Sequence, residues 1–197
     1  MFKDLFSSVA GSERSGISDF RKIIGVILLL MVGSIFLLFK TKYLEVWEVE
    51  SGSMIPELEV GDRLLKISTS NYHKGDLLVF YEDDDPETPL VKRLVGVEGD
   101  KVEVENGILY VNDKQMYPTV YYNNYPMPPD NKWTIGEDEL FVAGDNQRVS
   151  EDSRFFGPIT TDHVDGKVIY RIGPSERRGM IYREFPPPSP DDYESSI

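Results

Sequence analysis

The sequence predicts a mostly β domain, a sandwich or partly closed barrel, behind a single N-terminal transmembrane helix. Three observations carry this: one uncharged apolar run near the start, short alternating segments after it, and turn residues between those segments. The expected division is 1–22 as a cytoplasmic N-terminal segment and 23–39 as the membrane anchor. Residues 40–183 then form the extracytoplasmic β domain, and 184–197 a Pro-rich acidic tail.

Residues before Arg21 are polar and carry Gly11-Ser12-Glu13-Arg14-Ser15-Gly16, a flexible composition. Ile23 to Phe39 is free of charge, and its seventeen residues span about 26 Å as a helix, enough for a thin bilayer crossing. Lys40-Thr41-Lys42 follows in place of a small-residue cleavage site, which argues against a removed signal peptide. Lys3, Arg14, Arg21 and Lys22 precede the run against Lys40 and Lys42 after it, so the N-terminus is expected inside. The expectation is a single-pass membrane protein with the larger domain on the outer face.

From Leu44 the period changes to two. A strand is expected at Leu44–Glu50, a turn followed by a strand in each of Val60–Ile67 and Lys74–Tyr81, and a strand at Leu90–Val97, with an acidic loop from Glu82 to Glu87. Lys101–Glu105 and Ile108–Val111 flank Asn106-Gly107, a strong hairpin signal. Tyr117 to Trp133 lacks a period and reads as an ordered excursion. Leu140–Ala143 and Asp165–Ile172 are the last strands expected.

Lys+Arg number 21 against Asp+Glu 34, a net charge of −13, which argues against nucleic acid as a partner. Cysteine is absent, so disulfides, thiolate catalysis and cysteine-ligated zinc are excluded. No cofactor or metal is expected. His73 and His163 are the two histidines, and both sit in polar turns rather than in a motif. A serine nucleophile in this chain therefore needs a carboxylate or a lysine as its base.

Ser51-Gly52-Ser53-Met54-Ile55-Pro56 places two hydroxyls about a glycine. Pro56 biases Ile55 towards extended backbone, so Met54-Ile55 is expected to be presented rather than wound into a helix. Alone, such a stretch is an ordinary turn. Lys92 lies in Leu90-Val91-Lys92-Arg93-Leu94 and shares a face with Leu90 and Leu94, while Arg93 points the other way. Apolar surroundings favour its neutral amine, the form a general base requires, although a lysine snorkelling to water fits the same pattern.

Taken together, three boxes resemble those of type I signal peptidases: Ser51–Pro56, Val91–Gly96 with Gly99-Asp100, and Gly144-Asp145-Asn146 continuing Ser150-Glu151-Asp152-Ser153-Arg154. The resemblance implies a signal-peptidase-like β-sheet domain and a serine–lysine endopeptidase that cuts signal peptides of exported preproteins after small residues. It implies Ser53 as nucleophile, Lys92 as general base, and Ser51 with the Ser53 amide as oxyanion donors. Ser150 would orient Lys92, Gly144, Asp152 and Arg154 would support the site, and Met54, Leu58 and Val91 would line substrate pockets. Its partners would be signal peptides and the lipid bilayer. Gln147-Arg148-Val149 departs from the arginine-aspartate-asparagine usual there. The rival reading is a catalytically impaired, membrane-anchored peptide-binding homologue. A self-cleaving repressor would need a DNA-binding domain where the apolar run stands.

Overall fold

The computed structural model describes residues 21–37, 44–82, 85–117 and 125–181. It separates into two compact units, Met1–Tyr43 and Leu44–Ile197. In the first, residues 21–37 form helix α1 with its apolar side chains exposed, Leu29 at 72% and Phe36 at 67%. Among the described residues no helix is long and apolar enough to cross a membrane. Positions 38 and 39 of the expected anchor lie outside them, as do 1–20 and the 184–197 tail.

The second unit is mostly β and antiparallel. Its strands are β1 (Leu44–Glu48), β2 (Arg63–Ile67), β3 (Leu77–Glu82), β4 (Asp85–Gly96), β5 (Lys101–Glu105) and β6 (Ile108–Val111). They continue as β7 (Lys114–Gln115), β8 (Asn131–Thr134), β9 (Glu139–Ala143), β10 (Ile159–Thr160), β11 (Val164–Gly173) and β12 (Gly179–Met180). Among the described residues these build two open sheets. One has eight strands in the order β1-β2-β11-β3-β4-β9-β10 with β12 beside β11, and the other has four in the order β7-β6-β5-β8. Neither closes into a barrel.

β3 reads Leu77-Leu78-Val79-Phe80 without alternation because both its faces are covered. Leu77 and Val79 join Met54, Leu58, Leu64 and Val168 on one side. Leu78 and Phe80 join Leu94, Leu140, Val142 and Ile159 on the other. Val95, Phe141 and Ala143 of the large sheet pack on Val102, Val104, Leu109 and Val111 of the small one, which fixes the two sheets together. Each buried valine, leucine, isoleucine, methionine or phenylalanine side chain contributes about 1.5–3 kcal/mol. The Asn106-Gly107 turn forms as expected, with φ of 51° and 76°.

Three expectations need correcting. The acidic stretch is not simply a loop: Glu82 pairs with Asp85, so β3 and β4 extend into it, with 83 and 84 outside the described residues. Hydrophobic periodicity reports only the core-packed part of a strand, and this hairpin runs past the core. The Tyr117–Trp133 excursion, of which 118–124 lie outside the described residues, returns as β8 against β5, pairing Trp133 with Val102. Backbone pairing and one indole hold β8, so no alternating pattern announces it. Finally, Gly52–Met54 is a 3₁₀ turn; only Ile55, at φ −64° and ψ 136°, is extended before Pro56.

Candidate active site

Three segments meet: the turn after β1, the middle of β4 and the loop after β9. Lys92 is held on β4 opposite Leu78 of β3, between strands whose faces are both covered. It is 3% exposed. Its Nζ lies 2.9 Å from Ser53 Oγ, and Ser51 Oγ lies 3.2 Å from the same oxygen. Burial pulls the Lys92 pKa down, and it outweighs the opposing charges of Asp152, Glu82 and Glu151.

Asp152, fully buried, organises the loop after β9. Its carboxylate caps helix α2 (Ser153–Phe156) by accepting from Arg154 N, the role aspartate favours at a helix start. It also accepts from Gly144 N at 2.8 Å, Ser150 Oγ at 2.6 Å, and Arg154 Nε and Nη2 at 2.8 and 2.9 Å. A buried ion pair is tolerable because its polar atoms are so fully matched. The hydrogen bond that Ser150 donates thus goes to Asp152, and Asp152 in turn acts on Lys92 through its charge.

Gly144 is required by space. A Cβ there would sit 2.5 Å from both Ser53 O and Ser150 Cβ and would collide with Ser150 Oγ. Gly52, by contrast, would place a Cβ against only the Ile55 side chain, 3.1 Å from its Cδ1. Gly144→Ala is therefore expected to cost about 1–3 kcal/mol as an overpacked site and to depress turnover per folded molecule. Melting temperature and rate measured on the same preparation check both.

Several residues that hold this site were not assigned a place from sequence. Asn146 N donates to Ser53 O and Asn146 Nδ2 to Gly52 O, both at 3.0 Å, which pins the Ser51–Ser53 turn to the β9 loop. Arg93, fully buried on the face opposite Lys92, makes a two-pronged pair with Asp145 at 2.8 and 2.6 Å and donates to Gly75 O at 2.9 Å. Gln147 donates to Gly144 O and accepts from Arg154 Nη1 at 2.6 Å, so the departing segment is tied into the same network. The readable signal was Arg93 itself, an arginine inside an apolar strand with a later aspartate available to pair it.

Met54, Leu58 and Val91, with Trp47, Val49 and Leu64, line a cleft of about 280 Å³ that opens on Ser51, Ser53 and Lys92. Its two long walls are residues 47–51 and 88–92, both near-extended segments. His73 and His163 lie elsewhere: His73 N donates to Asp76 Oδ2, and His163 sits in the turn before β11.

Comparison with known proteins bears on this geometry. The model of the family described as "Signal peptidase, peptidase S26" matches residues 18–172. A signal peptidase I of Leptolyngbya laminosa is 30% identical over 183 residues, covering 85% of this chain and 84% of that protein. Signal peptidase IB of Staphylococcus aureus is 34% identical over 149 residues, covering 65% of this chain and 77% of its own. A crystal structure of a signal peptidase I from Enterococcus faecalis V583 is 26% identical and covers 49% of this chain and 96% of that one, with a TM-score of 0.38. The chain belongs to the signal peptidase family S26.

Proposed function

We propose that this peptidase is a membrane-anchored serine endopeptidase that removes signal peptides from exported preproteins, with Ser53 and Lys92 as its dyad. The observation that carries the reading is the 2.9 Å approach of a buried lysine amine to a serine hydroxyl on a cleft wall. Neutral Lys92 takes the Ser53 proton as Oγ attacks the scissile carbonyl. Ser51 Oγ–H and the Ser53 amide donate to the oxyanion that forms. The Lys92 ammonium then protonates the leaving amine and the acyl-enzyme is released by water, with Lys92 again as base. Asp152, held by Ser150, Gly144 and Arg154, steadies that transient ammonium through its charge.

An extended signal peptide fits between walls 47–51 and 88–92 by strand addition, and the narrow cleft lined by Met54, Leu58 and Val91 suits small side chains. The exposed apolar side chains of α1, within an uncharged sequence run from Ile23 to Phe39, support the anchor, with the N-terminus cytoplasmic and the β domain outside. The impaired-homologue reading rested on Gln147-Arg148-Val149. Gln147 bridges Gly144 and Arg154, so the substitution leaves the loop tied. Detergent-solubilised protein incubated with a preprotein should yield a new N-terminus after a small residue, and Ser53→Ala should yield none.

Activity is expected to rise with pH through a single ionisation below the ordinary lysine value, because burial lowers the Lys92 pKa and only the neutral amine is a base. That limb should vanish in Lys92→Met. Stability is linked in the same sense. Between the lowered folded pKa and the unfolded value, the unfolded chain binds more protons, so stability rises with pH across that window. Lys92→Met should therefore unfold at higher urea than the wild type at neutral pH, with the gap closing as pH rises. Equal midpoints at neutral pH would contradict the buried amine.

A further inference from the structure

Lys66 is a second buried lysine, and the dyad chemistry does not use it. It stands on β2 with its side chain fully buried, directly across from Glu45 of β1 and Val168 of β11. Its Nζ lies 3.0 Å from Glu45 Oε2 and donates to Asp165 of β11. The same Nζ sits 5.5 Å from the centre of the Trp47 ring. Burial opposes the charge, yet the bonds to Asp165 and Glu45 outweigh it and raise the Lys66 pKa, so the cation persists.

A leucine or methionine would fill this place without the desolvation cost. What the cation adds is direction. Trp47 lines the peptide cleft beside Leu64, its cross-strand partner, and its Nε1 is buried without a hydrogen-bond partner. No hydrogen bond of its own therefore fixes the indole plane. The ammonium beneath the ring does, through attraction to the negative π face, and Glu45 and Asp165 tether the ammonium from two strands.

We propose that Lys66, tethered by Glu45 and Asp165, is a positioning residue that holds the Trp47 indole as the cleft wall limiting substrate side-chain size. The inference rests on the peptide-cleaving reading. It makes Lys66 a specificity determinant that touches neither substrate nor the reacting atoms.

The chain has two tryptophans, so Trp133→Phe isolates Trp47 as a fluorescent reporter. In that background, Lys66→Met is expected to increase acrylamide quenching of Trp47. Its kcat/KM ratio for a leucine against an alanine at the cleft-facing position should rise roughly tenfold. The change should lie in KM, with kcat on the alanine peptide and its pH limb unaltered, a split that general destabilisation would not give. Unchanged quenching with an unchanged ratio would overturn the proposal. Should Lys66→Met fail to fold, Asp165→Asn removes one tether at a less buried residue. It should move both readouts the same way by less, and no movement in either again overturns the clamp. If the wild-type chain cleaves no signal peptide, the functional reading falls, while the quenching arm still decides whether Lys66 holds Trp47.

Discussion

Lys92→Arg is expected to abolish turnover as fully as Lys92→Ala, with a loss of roughly 10⁴ or more. The two substitutions differ in what they preserve. Arginine keeps a cation close to Ser53 Oγ, now 2.9 Å from Nζ, and keeps attraction towards Asp152. It does not give up its proton in a protein, so it orients the hydroxyl but never accepts from it. If the lysine served only as a positive charge, holding Ser53 or an anionic substrate, arginine would retain much of the rate. The guanidinium also needs more room than an amine at 3% exposure, so folding must be checked by melting temperature on the same sample. A folded Lys92→Arg protein with near-normal turnover would remove the lysine base from the mechanism. His73→Ala and His163→Ala serve as controls and should leave the rate unchanged, since neither histidine lines the Ser53 cleft.

Sequence legibility followed what each residue answers to. Val102, Val104, Leu109 and Val111 alternate because one face of the small sheet is buried, and Asn106-Gly107 marks its turn because both residues need positive φ. Leu90 and Leu94 put Lys92 on an apolar face, but a buried amine and one snorkelling to water give the same periodicity, which also could not name what it meets. β8 was not legible: its backbone pairs with β5, and Trp133 against Phe141, ring centres 5.1 Å apart, is the one large apolar contact in four residues. Local pattern does not encode pairing across a long sequence separation.

The same limit applies at the site. The resemblance of the serine, lysine and glycine boxes to those of type I signal peptidases implied that Ser53, Lys92 and Gly144 share one neighbourhood, yet the bonds between them are tertiary facts. Asn146 reaches Ser53 O and Gly52 O from the loop after β9, far along the chain, and Arg93 finds Asp145 across fifty-two positions. Ser150 was expected to turn towards the Lys92 amine, whereas its hydroxyl donates to Asp152, two residues on. A local acceptor of full negative charge competes well against an amine whose charge burial disfavours.

Ser51→Ala is expected to lower turnover by roughly 10²–10³ while folding normally, as when one oxyanion donor is removed. Ser51 Oγ lies 3.2 Å from Ser53 Oγ, so a carbonyl carbon bonded to Ser53 would bring its oxygen within reach of the Ser51 hydroxyl. That hydroxyl matters most when the oxygen carries charge, so the loss should appear in kcat with KM little changed. Ser51→Thr keeps the donor and should retain more activity than alanine, because Ser51 is exposed at the cleft rim and has room for a methyl group. If Ser51 merely shaped the turn, alanine would lower the melting temperature and leave the rate per folded molecule intact. The 3₁₀ turn speaks against that role: Ser51 precedes it with extended backbone, φ −128° and ψ 157°, and its side chain makes no capping bond. Full turnover in a folded Ser51→Ala protein would leave the oxyanion to the Ser53 amide and take Ser51 out of the chemistry.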